Sequence, residues 1–336
     1  AVAAFLTFIV FTLPVYGGTA IDEVKVAFIG DSGAGPNFGK VLQLIKDEDV
    51  DLILHQGDFS YSAGPTRSWL RQIEDHVEDI PYLGSSGNHD NWRLYHSGFF
   101  ARQLSLLRER GGRISGDPTS GNYAVQYRGL KMVFLHDSHK RFLLNGRQTT
   151  PEQYINAEFD AVEPVWPICS WHKNQNAMQV GGKPNQTGWG VYEACRQKGA
   201  IIATGHEHSY QRTRTITNVL TQTLDATCPD DPDTPDVDVC VAPGKTFTFV
   251  SGRAGTGVRD QDRCLPAAFP YGCKQVWAKI YTSTQRAVFG ALFITFNVDG
   301  DQNKAEGYFK NIDGDIVDEF HITKSGKVTA AIGDAR

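Results

Sequence analysis

The chain has 336 residues, of which 40% are hydrophobic and 11% aromatic, so it can bury a sizeable core in one large or two modest domains. Its net charge is −5 and its pI is about 6.1, which argues against nucleic acid or acidic lipid as its main partner. Something other than side-chain charge would have to attract an anionic substrate, and bound metal cations would do so.

The N-terminal segment is predicted to be a secretory signal peptide over residues 1–20, with a retained anchor or a buried N-terminal element as the alternatives. Residues 1–16 carry no charge, and small residues follow them. The apolar run is shorter than the roughly 20 residues that span a bilayer and is interrupted by Pro14, so no stable membrane span is expected. Residues 21–336 show neither an internal repeat nor a linker, and a single domain is expected there.

Strands and helices alternate from residue 24 onward. The apolar pattern predicts strands over 24–29, 51–54 and 81–84, with helices over 37–46 and 69–77 between them. Strand–helix–strand alternation at this spacing is typical of parallel strands in an α/β fold. In such sheets, binding sites form beyond the carboxyl ends of the strands.

Two further strands are predicted over 165–170 and 201–204, and each is followed by a polar segment that contains histidine. From residue 246 onward the pattern is strand-like again. Asp299-Gly300 and Asp313-Gly314 are predicted to be hairpin turns within this last part of the chain.

Six cysteines indicate disulfides in an oxidising compartment, either outside the cell or in the lumen of the secretory pathway. Proximity favours the pairs Cys228–Cys240 and Cys264–Cys273, although six cysteines allow many connectivities. The first pair would close the acidic loop within residues 218–245, to which no chemistry is assigned. Asn185, in the sequence Asn-Gln-Thr, is a candidate N-glycosylation site. The candidate disulfide cysteines are Cys169, Cys195, Cys228, Cys240, Cys264 and Cys273.

The residues that follow the predicted strands are of the kinds that bind transition metals. Carboxylate, phenol, amide and imidazole groups together suit a pair of such ions. Each residue alone has an ordinary explanation, because aspartate is common in turns and at helix caps. Five such motifs at five strand ends indicate a metal site instead. Its members are Asp31, Asp58, Tyr61, Asn88, His89, His172, His206 and His208.

These residues belong to an ordered series of motifs. In chain order the motifs are Asp31-x-Gly33, Gly57-Asp58-x-x-Tyr61, Gly87-Asn88-His89-Asp90, His172 and Gly205-His206-x-His208. The series resembles the calcineurin-like metallophosphoesterase superfamily, and the Tyr61 variant resembles the purple acid phosphatases specifically. The resemblance implies an α/β (α+β) fold, a four-layer sandwich of two central mixed β-sheets flanked by helices, with the site at the C-terminal ends of strands.

The resemblance also implies which residues bind which ion. Many members of the superfamily have a histidine ligand two residues after the first aspartate, where this chain has Gly33, and Tyr61 is expected to replace it. A phenolate is a hard anionic donor and favours Fe(III). Asp58 would bridge the two ions. The first ion would be bound by Asp31, Tyr61 and His208. The second ion, a divalent Zn, Mn or Fe ion, would be bound by Asn88, His172 and His206.

Two metal ions about 3.5–4 Å apart can bind phosphoryl oxygens and activate a water as the attacking hydroxide. His89 is expected to bind the phosphate together with Asn88 and to protonate the leaving alkoxide. Asp90 is expected to act in catalysis by orienting His89. Glu207 lies between two histidine ligands and is expected to point away from the metals.

The favoured function is a secreted binuclear-metal acid phosphatase that hydrolyses phosphomonoesters. One alternative is a phosphodiesterase or nucleotide pyrophosphatase on the same site, and another is a low-turnover secreted binding or surface protein that retains the fold. Loops 92–120 and 253–285 would set the substrate size. No nucleic acid binding is expected, and the oligomeric state is left open. Further candidates for the substrate pocket, for which surface or packing roles are the simpler interpretation, are His136, His139, Lys173, Asn174 and Tyr210.

Overall fold

A computed structural model of the chain describes residues 22–91, 93–136, 142–144, 146–228 and 238–324. The predicted signal peptide, His139 and residues 229–237 of the acidic loop lie outside the described residues. Across the described ranges, no helix has both the length and the apolar character needed to cross a membrane.

Strands and helices follow one another along the described part of the chain. The strands are β1 (Val24–Ile29), β2 (Leu52–His55), β3 (Tyr82–Gly84), β4 (Arg113–Asp117), β5 (Asn122–Tyr127), β6 (Leu130–Phe134), β7 (Phe142–Leu144), β8 (Arg147–Thr149), β9 (Trp166–Ser170), β10 (Ile201–Thr204), β11 (Tyr210–Thr213), β12 (Ile216–Asn218), β13 (Thr223–Leu224), β14 (Val239–Val241), β15 (Thr248–Ser251), β16 (Trp277–Tyr281), β17 (Gly290–Phe296), β18 (Lys304–Asn311) and β19 (Ile316–Lys324). The α-helices are α1 (Pro36–Asp47), α2 (Arg67–Val77), α3 (Gly98–Glu109), α4 (Pro151–Asp160) and α5 (Trp189–Gln197).

Two large mixed sheets organise these strands. The first sheet has the order β14-β19-β18-β17-β1-β2-β3, and β1, β2 and β3 are parallel within it. The second sheet has the order β16-β11-β15-β10-β9-β6-β5-β4, with β6, β9, β10 and β15 parallel. Antiparallel strands complete both sheets, including the β17–β18–β19 meander whose connections contain the two predicted hairpin turns.

The helices form where apolar residues recur at helical spacing. In α1, a proline occupies the first helical position and the buried residues Phe38, Val41, Leu42 and Ile45 form one face. In α2, Thr66 caps the N-terminus by accepting a hydrogen bond from the backbone amide of Trp69. Each helix therefore has an apolar face to bury against a sheet.

The two large sheets pack face to face around a common core. The ring of Phe28 on β1 meets that of Phe249 on β15 edge-on, with centroids 5.1 Å apart, and Trp166 on β9 contacts Phe296 on β17 at 5.4 Å. Helices α1 and α2 cover the outer face of the first sheet, whereas α4 and α5 cover the outer face of the second. The predicted four-layer sandwich is confirmed.

Three disulfides cross-link the described part of the chain. Cys228–Cys240 and Cys264–Cys273 are the two local pairs predicted from the sequence, and both are confirmed. The third bridge, Cys169–Cys195, joins β9 to α5. It lies three residues before His172, so it also anchors the strand end that carries this histidine.

Candidate metal centre

The predicted ligands meet where the two large sheets present the carboxyl ends of their parallel strands. Asp31 follows β1 and Asp58 follows β2 in the first sheet, while His172 follows β9 and His206 follows β10 in the second. The amide of His206 donates to Oδ2 of Asp31 at 2.8 Å, and Nδ1 of His172 lies 2.7 Å from the carbonyl oxygen of Gln56. These contacts join the two sheets at the site.

The first group of donors consists of Asp31, Tyr61 and His208. The Tyr61 hydroxyl lies 2.9 Å from Nε2 of His208 and donates to Oδ1 of Asp31 at 3.3 Å. Nε2 of His208 is itself 3.3 Å from the same carboxylate oxygen. Asp31 is fully buried, and the His208 side chain is 12% exposed. A phenol oxygen, an imidazole nitrogen and a carboxylate oxygen therefore converge on one position.

The second group consists of Asp58, His172 and His206, all of them buried. Nε2 of His172 lies 3.2 Å from Oδ2 of Asp58 and 3.1 Å from Nδ1 of His206. The three donor atoms lie within 4.8 Å of one another, which makes the group a possible metal-binding cluster.

The remaining nitrogen of each imidazole in this second group is occupied. Nδ1 of His172 donates to the carbonyl oxygen of Gln56, so Nε2 is the ring nitrogen that faces Asp58. Nε2 of His206 lies 2.9 Å from Oε1 of Gln186, which leaves Nδ1 facing the cluster. Metal-binding histidines in proteins are held by the same kind of hydrogen bond. Gln186 was missed by the sequence analysis because a glutamine in a loop carries no metal-ligand signal.

Gly33 has a backbone conformation and surroundings that favour glycine. The φ angle of Gly33 is +61°, a left-handed conformation that favours glycine. A Cβ atom at this position would collide with Oγ1 of Thr256 and would lie 3.8 Å from the Tyr61 ring. A histidine at position 33 would therefore have a strained backbone and would collide with Thr256.

The turn after β3 carries Asn88 and His89 to the exposed edge of the site. The backbone amide of His89 donates to Oδ1 of Asp58 at 2.8 Å, and the His89 ring lies 4.6 Å from the Tyr61 ring, centroid to centroid. Both predicted substrate-binding residues are therefore exposed beside the two donor groups. Gly87 permits this approach, since a Cβ atom there would collide with Asp58.

Asp90 joins the two loops that carry Asp58 and His89. Its carboxylate accepts hydrogen bonds from the backbone amides of Gly87 at 2.7 Å, Asp58 at 2.8 Å and Phe59 at 3.1 Å. Burial raises the pKa of Asp90 to about 7. These hydrogen bonds hold the loop of Asp58 against the turn that carries His89, and within the described residues Asp90 forms no hydrogen bond with the His89 ring.

Burial controls the protonation of the donor groups. It raises the pKa of Tyr61 well above its ordinary range, and the charges of Asp31 and Asp58 raise it further. It lowers the pKa of His206 well below the ordinary value, and the charge of His172 adds to the effect. Burial alone would raise the pKa of Asp58, but the charge and hydrogen bond of His172 lower it. An ionised carboxylate and a neutral imidazole are what a metal ion binds, and a cation would stabilise the Tyr61 phenolate.

Glu207 packs beside the site. A Cβ atom on Gly181 would collide with its carboxylate, and Nε of Arg259 lies 3.7 Å from its Oε1. Its Oε2 is buried and has no hydrogen-bond partner among the described residues. Lys183 reaches the same area and donates to the carbonyl oxygen of His206. The Glu207 side chain thus contacts these neighbouring segments.

Two of the pocket candidates are structural residues. Asn174 is fully buried, donates to the carbonyl oxygen of Gly205 at 2.8 Å and accepts from the hydroxyl of Tyr192 at 2.9 Å. Tyr210 is also fully buried and donates to Asp318 at 2.6 Å. The remaining two described candidates are Lys173, which is half-buried, and His136, whose ring lies 6.2 Å from that of Tyr95.

Curated relatives cover parts of this chain. It is 26% identical over 200 residues to Probable inactive purple acid phosphatase 1 of Arabidopsis thaliana, a match that covers 51% of this chain and 31% of the relative. It is 31% identical over 83 residues to Probable inactive purple acid phosphatase 24 of the same plant, which covers 20% of this chain and 14% of the relative. The chain thus spans about a third or less of the length of these relatives.

Solved structures share the fold over most of the chain. The purple acid phosphatase PPD1 from yellow lupin (Lupinus luteus) has a TM-score of 0.57 at 15% identity, covering 90% of this chain and 54% of that protein. GAP50 of Plasmodium, described as the anchor in the inner membrane complex, has a TM-score of 0.53 at 11% identity, covering 91% and 90%.

The family model for calcineurin-like phosphoesterases matches residues 24–210, more than half of the chain. This range contains every donor residue of the two groups described above. The chain therefore belongs to the calcineurin-like phosphoesterase family, and within it the chain is similar to the purple acid phosphatases.

Proposed function

We propose that the chain is a secreted binuclear-metal acid phosphatase that hydrolyses phosphomonoesters. The observation that supports this most directly is the convergence of the two donor groups at the carboxyl ends of the parallel strands. Carboxylate, phenol and imidazole donors in contact with one another fit two transition-metal ions better than any packing role, since burying so many polar groups is costly otherwise.

The proposed ligand sets follow the two groups. Asp31, Tyr61 and His208 hold Fe(III), because the phenolate of Tyr61 is a hard anionic donor. His172, His206 and Asn88 hold a divalent Zn, Mn or Fe ion. Asp58 would contribute to holding both ions. Burial alone would raise the pKa of Asp31, but the hydrogen bond and charge of His208 lower it, and the pKa of Asp58 is lowered as well, so both aspartates are ionised in acid.

The two ions, when bound, supply positive charge for the phosphate and activate the attacking water. The other steps belong to the chain itself. The exposed His89 binds the phosphate with Asn88 and donates a proton from its ring to the departing alkoxide oxygen. Asp90 holds the loops that carry Asp58 and His89 at a fixed distance through its backbone hydrogen bonds.

The low pKa of His206 supports activity in acid. Burial is its main cause, and it keeps the imidazole neutral at pH values where an exposed histidine would be protonated. A protonated His206 could not offer Nδ1 to a metal ion, so this environment extends metal binding to lower pH.

The test compares a chromogenic phosphomonoester with the corresponding diester at mildly acid pH, using the full chain with its metals, after chelation and after metal return. We expect hydrolysis of the monoester that is lost on chelation and recovered with metal. Faster hydrolysis of the diester would favour the phosphodiesterase or nucleotide pyrophosphatase alternative. Absence of turnover in the metal-loaded protein would contradict an enzyme function.

A low-turnover binding or surface protein is the second candidate, and the comparisons supply its support. The matched Arabidopsis relatives are named probable inactive phosphatases, and GAP50 is described as an anchor. Under this alternative the metal-loaded protein would bind inorganic phosphate without hydrolysing esters. Equilibrium binding of phosphate, measured beside the turnover assay, separates the two functions.

The cellular setting is part of the proposal. Residues 1–20 act as a signal peptide and residues 21–336 form a single metallophosphoesterase domain in the extracellular space or secretory lumen. Three disulfides support an oxidising compartment. Asn185 is exposed, so it is available for N-glycosylation. Sequencing the N-terminus of the secreted protein and mapping its glycans would test both assignments.

A further inference from the structure

Gln186 contacts a predicted metal ligand at the nitrogen that faces away from the metal cluster. Its Oε1 lies 2.9 Å from Nε2 of His206, while Nδ1 of the same ring lies 3.1 Å from Nε2 of His172. An amide oxygen only accepts hydrogen bonds, so this contact requires the proton of His206 to reside on Nε2. The lone pair is then on Nδ1, directed into the cluster.

The loop that carries Gln186 is fixed relative to His206. The backbone amide of Gln186 donates to the carbonyl oxygen of Asn174 at 3.1 Å. The side chain of Asn174 in turn donates to the carbonyl oxygen of Gly205, the residue before His206, at 2.8 Å. One buried asparagine therefore connects both partners of the Gln186–His206 contact.

A second glutamine holds the other side of the loop. The backbone amides of Thr187 and Gly188 both donate to Oε1 of Gln175 at 3.1 Å. The Thr187 hydroxyl also donates to the carbonyl oxygen of Lys173. Gln186 is exposed, but its backbone is held on both sides, so its amide reaches His206 from a fixed position.

We propose that Gln186 is a positioning residue for the second metal ion, which it serves by holding His206 in the form with its proton on Nε2. The inference rests on the proposed function, because it needs the second ion to be bound through Nδ1 of His206. Gln186 is also the middle residue of the candidate glycosylation sequence, so replacing it leaves Asn185 and Thr187 in place.

The experiment compares zinc binding by the full metal-free chain and its variants Gln186→Leu and Gln186→Glu, using calorimetric titration. Gln186→Leu removes the acceptor, and we expect the second zinc to bind about 10- to 100-fold more weakly while the first is unchanged. Gln186→Glu keeps an oxygen acceptor and is expected to restore the affinity to within a few-fold. Asn185→Asp is the matched control, since it removes the glycosylation site but keeps the oxygen that accepts from the Asn176 amide.

Nitrogen-15 spectra of the histidine rings provide a second readout, because they report which ring nitrogen of His206 carries the proton. In zinc-loaded wild type and Gln186→Glu, we expect the His206 ring to show a proton on Nε2 that exchanges slowly with solvent. In Gln186→Leu this proton should exchange rapidly.

The outcomes separate the inference from the function on which it rests. Two zinc ions bound equally well by wild type and Gln186→Leu would overturn the role of Gln186 and leave the metal centre intact. Equal weakening of both zinc ions in Gln186→Leu, without rescue by Gln186→Glu, would also overturn it. A wild-type chain that takes up no zinc would overturn the proposed metal centre and the inference together.

Discussion

Four donor residues at the candidate metal centre have left-handed backbones, which non-glycine residues rarely adopt. The φ angles are 56° for Asp31, 58° for Asp58, 53° for Tyr61 and 71° for His206. Such conformations cost on the order of 1–3 kcal/mol each and persist only where the surrounding structure enforces them. The hydrogen bond from the His206 amide to Asp31 is one enforcing contact. Local strain of this kind concentrates where side chains must point in a specified direction.

At the same scale, His89→Ala tests the proposed proton donor. The ring of His89 is exposed, and only its backbone amide contacts Asp58, so the variant should retain both metals. We expect turnover to fall by about 10²- to 10⁴-fold, the usual contribution of general acid catalysis. The measurement is kcat with metal content determined on the same sample. His321→Ala is the control, because the side chain of His321 on β19 is 62% exposed. Unchanged turnover in His89→Ala would show that His89 is not the proton donor.

Tyr61→Phe tests the proposed ferric ligand. The substitution removes the hydroxyl that contacts Asp31 and His208 but keeps the ring. We expect loss of the visible tyrosinate-to-iron absorption and weaker iron binding, recorded by spectroscopy and metal analysis. Tyr308→Phe removes a phenol from the surface network around Glu48 and should leave the colour unchanged. Persistence of the colour in Tyr61→Phe would exclude Tyr61 as its source.

The sequence identified the donor residues because each follows a strand as a ligand-type side chain. It did not show the contacts that hold these residues in place. Gln186 reaches His206 only through loop packing, and Asp90 binds backbone amides that lie 31 and 32 positions away. Contacts of these kinds are set by tertiary structure and have no local sequence pattern.

At the scale of single elements, the C-terminus of α1 is joined to the first sheet by Glu48. Its carboxylate lies 2.7 Å from Nζ of Lys25 on β1 and 2.7 Å from Nζ of Lys310 on β18, and it also accepts from the Tyr308 hydroxyl. Burial alone would raise the pKa of Glu48, but these three hydrogen bonds lower it to about 2. The network therefore stays ionised through most of the acid range.

Glu48→Gln should show this contribution as a pH-dependent loss of stability. The folded pKa of about 2 is below the ordinary 4.5, so the stabilisation is present above pH 4.5 and is lost as the pH falls through 2. We expect the free energy of unfolding to fall by about 1–2 kcal/mol near neutral pH, less than the full shift implies because the network is partly exposed. Denaturant titrations of wild type and Glu48→Gln at several pH values measure this difference in the free energy of unfolding.

Glu306→Gln is the matched control for this variant, because it makes the same change at an exposed residue of β18. The difference between wild type and Glu48→Gln should shrink as the pH approaches 2. A difference that stays constant from neutral pH to strong acid would show that the effect of Glu48 is not electrostatic.

The predicted β1–α1–β2–α2–β3 series is confirmed to within two residues at each boundary, because its apolar periodicity is local. Strand β11 was missed for a physical reason. All four of its residues are buried, yet three of them are polar or charged: Gln211, Arg212 and Thr213. Asp318, which pairs with Arg212, lies 106 residues away, so the sequence around β11 does not show this ion pair.

At the scale of the whole molecule, a buried ion pair connects the two large sheets inside their shared core. Arg212 on β11 donates from Nε to Oδ2 of Asp318 on β19 at 2.8 Å, and Tyr210 donates to the same oxygen at 2.6 Å. The guanidinium also lies 3.8 Å from the centroid of the Phe320 ring. These contacts fix one sheet relative to the other. The metal centre depends on the relative position of the sheets, because its donor residues come from both of them.

Asp318→Ala should therefore destabilise the entire fold. It removes the carboxylate that forms the buried ion pair with Arg212, and breaking a buried ion pair costs about 3–5 kcal/mol in comparable cases. Chemical denaturation of the metal-free protein measures the loss. Glu319→Ala changes the exposed neighbour on the same strand and should shift the stability by no more than about 0.5 kcal/mol. Equal stability of the two variants would contradict the claim that the ion pair at Asp318 stabilises the packing of the two sheets.

The central claim is that the two donor groups bind two metal ions, with Tyr61 on iron. The most direct measurement is metal analysis of the purified protein combined with its visible absorption spectrum. We expect about two metals per chain, one of them iron, and a broad visible band that Tyr61→Phe removes. A protein that contains no metal, and takes up none when iron and zinc are supplied, would contradict the claim.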